Sequence, residues 1–206
     1  MKRKERHKIK RSEITPYITK ALDFFKSYQR EFLIAAIVIL IVIIAGSLYR
    51  YNRNKKIKSA NLVFYQAMKE RSVEKLKELK NYPSPFPQIA SIILAGTEIQ
   101  KGKANQALEE LQKYEDKGTL RDLILFMEAK ILCSQGKVKE AMDKFSKIKE
   151  KGEVPLDALL FEKAFCLEKA GKFGEALTTY RLITEKFQGS PYYSLALNKI
   201  ESLGVR

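Results

Sequence analysis

The sequence predicts an all-α chain, with one membrane-spanning helix near the N-terminus followed by a solenoid of helical hairpins. Three observations predict it. Residues 32–49 form an apolar run without a single charge. Three Gly-Lys segments recur 34 and 35 residues apart, at Gly102, Gly136 and Gly171. Small residues keep fixed offsets from those glycines, as close helix packing requires.

The N-terminal stretch MKRKERHKIKRS is too charged to bury a core by itself. It suits contact with lipid phosphates or another acidic surface. Thr15-Pro16 then reads as a helix start, with Thr as N-cap and Pro in the first turn. Ile14, Ile18, Leu22, Phe25 and Tyr28 recur at helical spacing, with Lys20, Asp23, Lys26 and Gln29 between them. The spacing predicts an amphipathic helix lying in the interface plane.

No charge falls between Glu31 and Arg50. Those 18 positions make a helix of about 27 Å, close to the ~30 Å bilayer core. Phe32 and Tyr49 stand at its two ends, where aromatic rings favour the interface. A cleaved signal peptide has a shorter apolar stretch, so the segment reads as a signal anchor that stays in the chain.

The net charge of +15 is concentrated beside this span. Residues 1–31 hold ten Lys/Arg against four Asp/Glu, and residues 50–58 hold five against none. The remaining 148 residues are nearly balanced, at 24 against 20. Lys26, Arg30, Arg50, Arg53, Lys55 and Lys56 are the expected lipid head-group contacts. Membrane flanking accounts for the basic excess without nucleic acid.

Two cysteines give no disulfide framework, and the single histidine, His7, lies in the basic tail. A zinc site or a catalytic histidine in the folded domain is thereby excluded. No Gly-rich phosphate loop, metal cluster or nucleophile–base pair appears. No cofactor and no enzymatic activity are expected. Glu109-Glu110 and Glu115-Asp116 read as a solvated helix face and a turn.

Residues 57–80 carry helical periodicity, and Tyr82-Pro-Ser-Pro-Phe-Pro87 breaks it. The repeats follow. Ala95, Ala129 and Ala164 each precede a repeat glycine by seven positions, and Ala107, Ala141 and Ala176 each follow one by five. Four residues further on stand Leu111, Phe145 and Tyr180. Each unit is therefore two antiparallel helices joined at the glycine. The alanines admit close approach, and the large residue fills the next layer. Cys133 and Cys166 fall on first helices as apolar fillers, and their spacing does not decide whether they pair.

This pattern resembles the tetratricopeptide-repeat family over roughly residues 89–187. Glu98, Leu132 and Leu167 stand where that family's first helix usually carries aromatics. The expected organisation is a basic N-terminal region with an amphipathic helix (1–31), a transmembrane helix (32–49), a linker with a capping helix or half-repeat (50–88), and about three repeats with a C-terminal capping helix (89–206). That last helix is expected over 192–203. In this architecture first helices line the concave face, which places Ile89, Ile92, Leu123, Phe126, Lys130, Phe161 and Phe165 there. Ile92, Phe126, Lys130, Phe161 and Phe165 form the candidate peptide-binding groove.

The whole layout resembles the ancillary (YfgM-like) subunits of the bacterial Sec translocon. The stretches that carry this are LKNYPS at 79–84, IASIILA at 89–95, GKANQALEEL at 102–111 and AKILCSQG at 129–136. The resemblance implies a single-pass interaction scaffold of the bacterial inner membrane, with a cytoplasmic N-terminus and repeats outside the cytoplasm. The partners it implies are proteins, the Sec translocon or envelope factors, together with the membrane. Neither nucleic acid nor a small molecule is expected. The alternative is a cytoplasm-facing tether that holds a ribosome, RNA or a cytoplasmic complex through the basic flanks.

Overall fold

The computed structural model describes residues 19, 20, 24, 26–114 and 118–204. The basic tail, the Thr15-Pro16 start, most of the amphipathic stretch and the Glu115-Asp116 pair lie outside the described residues. Among those described, the fold is helical with no strand. The chain divides at Lys55/Lys56 into two units.

The first unit holds the apolar part of one long helix, α1 (Gln29–Glu70, 42 residues). It is long and apolar enough to cross a membrane, and its apolar window has no buried residue. Just before it, the Phe24 ring lies 4.8 Å from Tyr28 and 6.2 Å from Phe32, one and two turns on.

The second unit begins within the same helix, where Ala60 and Ala67 turn inward and are buried. The 57–80 periodicity predicts one helix, but the structure breaks it at Arg71 and Ser72. Arg71 takes a positive φ of 51°, and Ser72 donates its backbone N–H to the Ala67 carbonyl at 3.0 Å. Ser72 then caps α2 (Val73–Glu78) by accepting from the Lys75 N–H. A serine N-cap offers the chain a new helix start, which plain apolar periodicity does not register. A short 3-10 turn, Leu79–Asn81, follows.

Three hairpins come next: α3 (Phe86–Gln100) with α4 (Ala104–Gln112), α5 (Arg121–Ser134) with α6 (Val138–Ser146), and α7 (Leu156–Lys169) with α8 (Phe173–Lys186). Helix α9 (Tyr193–Gly204) packs on α8 and closes the array. Pro87 sits in the first turn of α3, where a missing N–H costs nothing. The six repeat alanines are all fully buried, and Leu111, Phe145 and Tyr180 lie beside them at no more than 3% exposure. The core is divided into an N-terminal, a central and a C-terminal cluster along the array.

Each hairpin turns by the same device. The glycine N–H reaches back three residues and the next N–H reaches back five. For Gly136 these bonds run to Cys133 at 3.0 Å and from Lys137 to Leu132 at 2.9 Å. Gly102 and Gly171 repeat the pattern. All three glycines sit at φ 75–77°, which L side chains rarely adopt. Space is not the constraint, because a Cβ at Gly136 meets nothing within 4 Å. Gly136→Ala is therefore expected to lose about 1–2 kcal/mol through backbone strain alone. Urea denaturation checks this, and an unchanged midpoint contradicts it.

Candidate functional site

The first helices α3, α5 and α7 carry the expected groove residues. Ile92, Phe126 and Phe161 occupy one repeat position, ten residues before Gly102, Gly136 and Gly171. Lys130 and Phe165 follow one turn later on the same faces.

The structure treats these residues in two ways. Phe126 and Lys130 come together on one cavity of about 390 Å³, lined also by Ile99, Leu123, Met127 and Ile131. The Phe126 ring meets Phe145 edge-on at 6.2 Å, and Lys130 Nζ stands 5.4 Å from the Phe126 centroid. Lys130 Nζ also pairs with Glu162 Oε1 at 2.6 Å, which fixes the cation at the cavity rim. Ile92 is half-buried against the central core.

Phe161 and Phe165 are engaged by the C-terminal end instead. The Phe161 ring lies 5.6 Å from Tyr180 and 5.1 Å from Tyr192. Lys169 and Lys199 stand 4.8 and 5.3 Å from the Phe165 centroid. Ile99, Met127, Ile131 and Ser134 are the cavity residues that sequence reasoning missed. Met127 and Ile131 directly follow Phe126 and Lys130 in the sequence, whereas Ile99 shares its repeat offset with Cys133, which is not among the lining residues, so no repeat signal marked it.

The two cysteines are joined. Cys133 on α5 and Cys166 on α7 form a disulfide with a Cα–Cα separation of 5.6 Å, within the usual range. Spacing alone could not foresee this, because the two residues hold different offsets from their glycines, three against five.

Glu110 departs from the solvated-face expectation, while Glu109 stays exposed. Ser91 Oγ donates to Glu110 Oε1 at 2.6 Å, Lys80 Nζ lies 2.6 Å from the same oxygen, and Lys113 Nζ is 3.0 Å from Oε2. Burial pushes this carboxyl up, but the Lys80, Ser91 and Lys113 donors together hold it below its ordinary 4.5. A carboxyl lowered on folding stabilises the fold above that ordinary value. The contribution is lost as pH falls through the lowered one. The expected result is that wild type loses more stability below about pH 4.5 than Glu110→Gln. Urea midpoints measured across that range check it, and parallel curves for the two proteins contradict it.

Lys26, Arg30, Arg50, Arg53, Lys55 and Lys56, the expected head-group contacts, are all exposed on the described part of the chain.

These features define a helical-hairpin repeat protein preceded by an apolar helix of membrane-spanning length. The chain belongs to the tetratricopeptide repeat-like domain family, which matches residues 22–205. No curated protein and no solved structure matches it. Domains of this family are typically non-catalytic scaffolds for protein–protein contact.

Proposed function

We propose that the chain is a non-enzymatic adaptor, anchored in a bacterial inner membrane by α1, with its N-terminus in the cytoplasm and its repeats outside. It serves the Sec translocon or envelope assembly. The observation that carries this reading is the cavity on α5. Its walls are Ile99, Leu123, Phe126, Met127 and Ile131, with one cation at the rim. That lining suits one apolar side chain of an extended peptide segment. Ile92 extends the apolar surface, and Phe161 and Phe165 belong to the same face nearer the C-terminal cap. Lys26 and Arg30 before the span, and Arg50, Arg53, Lys55 and Lys56 after it, meet anionic head groups. The Cys133–Cys166 bond supports repeats outside the cytoplasm, because disulfides persist in oxidising compartments.

One observation favours the cytoplasm-facing tether. Close to the span, Lys20, Lys26 and Arg30 precede it, while Arg50, Arg53, Lys55, Lys56, Lys58 and Lys69 follow it. That bias favours the opposite orientation. Long domains, however, translocate largely regardless of nearby charge.

Protease treatment of intact spheroplasts decides between the two. Digestion of the repeats while a cytoplasmic control survives is the expected result. Protection until lysis overturns the adaptor reading and leaves the tether. A photo-crosslinking residue at Phe126 is expected to reach a translocon subunit, whereas one at Phe173, exposed on α8, is not. Equal labelling from both positions contradicts the assigned face.

A further inference from the structure

Cys133 and Cys166 link the first helices of consecutive repeats. One turn earlier on the same two helices, Lys130 pairs with Glu162. Lys130 precedes Cys133 by three residues, and Glu162 precedes Cys166 by four. The α5–α7 joint thus carries two cross-links about a turn apart. The ionic one is partly exposed, with Lys130 at 45% and Glu162 at 20%, and such pairs contribute little. The covalent one is buried, with Cys133 at 7% exposure and Cys166 at 0%. The bond closes a loop of 33 residues that holds all of α6 and the connection to α7. Lys130 and Ile131, beside Cys133, line the cavity.

We propose that this disulfide is a covalent clamp on the cavity wall, closed by thiol exchange with a disulfide-bearing protein before α7 packs on α5. The inference rests on the adaptor reading only in taking the cavity as the docking face. The chemistry balances as an ordinary exchange. One cysteine thiolate attacks a sulfur of the oxidant's disulfide, and the oxidant's other sulfur leaves as a thiolate. The second cysteine thiolate then attacks the first cysteine's sulfur in the mixed disulfide and releases the oxidant's remaining thiolate. Two thiols are oxidised, and one disulfide of the oxidant is reduced to two thiols. Burial sets the order of events. A buried pair admits no attacking thiolate in the packed joint, so the bond forms while α7 is still loose. Afterwards it resists reductants until the joint opens.

The test uses the full-length chain, trapped by acid in cells expressing it and alkylated under denaturing conditions with a mass-tagged maleimide. No adduct without reductant, and two adducts after reduction, is the expected pattern. Two adducts without reductant overturn the clamp. On the purified full chain in detergent, dithiothreitol is expected to open the bond slowly in buffer and rapidly in urea. Equal rates overturn the buried clamp. Once open, the unfolding equilibrium constant is expected to rise roughly 500-fold for a loop of this length. An unchanged denaturation midpoint also overturns it. The Cys133→Ala/Cys166→Ala chain is expected to match the reduced wild type and to ignore dithiothreitol. Where that variant fails to fold, reduced wild type supplies the same reading.

The outcomes separate from those of the adaptor reading. Free thiols on a domain that protease reaches from outside defeat the clamp alone. A closed bond on a protected domain defeats the outside placement alone.

Discussion

Replacing Lys144 by methionine is expected to destabilise the repeat domain by about 3–5 kcal/mol. Lys144 on α6 places its ammonium 2.7 Å from Glu128 on α5. The Glu128 side chain is fully buried, and that of Lys144 is 14% exposed. Withdrawing a carboxylate from water costs several kcal/mol, and a close cation offsets that cost. Methionine keeps most of the lysine's volume but removes the ammonium, so Glu128 keeps its desolvation and loses the opposite charge. For a domain of this size the unfolding temperature is expected to fall by roughly 10 °C. Removing both charges with Glu128→Leu/Lys144→Met is expected to be near neutral or stabilising, because neither desolvation remains. With Glu128→Leu as the other single variant, thermal and urea unfolding of the four proteins close a double-mutant cycle. A single-variant loss under about 1 kcal/mol, the value of an exposed pair, sinks the argument.

Tyr180→Ala is expected to cost a similar amount, about 3–5 kcal/mol, by a different mechanism. Tyr180 is fully buried in α8, with its ring 5.6 Å from Phe161. Its hydroxyl donates to Glu168 Oε2 at 2.9 Å, while Lys199 donates to Glu168 Oε1 at 2.7 Å. One carboxylate on α7 thereby ties both α8 and α9 to that helix. Burial raises the Tyr180 phenol well above its ordinary value, and the Glu168 bond and the nearby carboxylate charges push the same way. The hydroxyl therefore keeps its proton, and stays a donor, at pH values where an exposed tyrosine ionises. Alanine removes both ring and donor and leaves a cavity. Phenylalanine removes the donor alone, for an expected loss of about 1.5–3 kcal/mol, the value of a bond to a charged group. Equal losses for the two variants refute a packing role for the ring.

The repeat was legible because its signals are local and recur three times. A glycine at a left-handed turn, an alanine seven before it and another five after it each have one physical use. Membrane-spanning length was legible in the same way, from an uninterrupted apolar run. The Glu128–Lys144 pair was not legible, because no other repeat shares it. The position of Glu128 is Leu94 in the first hairpin and Lys163 in the third, and that of Lys144 is Glu110 and Thr179. A lone acid in the run LILFMEAKILC was the only hint. The candidate groove positions were legible as repeat equivalents, but their packing was not. Periodicity places Phe126 and Phe161 at equivalent positions, yet only packing tells that Tyr180 and Tyr192 press on one ring while the other borders an open cavity. The break at Arg71–Ser72 was hidden by apolar residues that keep helical spacing through it.

The division of the core into three clusters bears on how the domain comes apart. A protein with one core melts as a whole, whereas a row of cores coupled through neighbours can open piece by piece from its ends. Cys166 counts with the central cluster, while Ala164 and Leu167 beside it belong to the terminal one. Helix α7 is therefore shared property, and the terminal cluster cannot leave without pulling on the middle. Local opening at that end is therefore expected to stop at α8 and α9, which follow the Cys133–Cys166 link along the chain, so that amide exchange there outpaces exchange in α7.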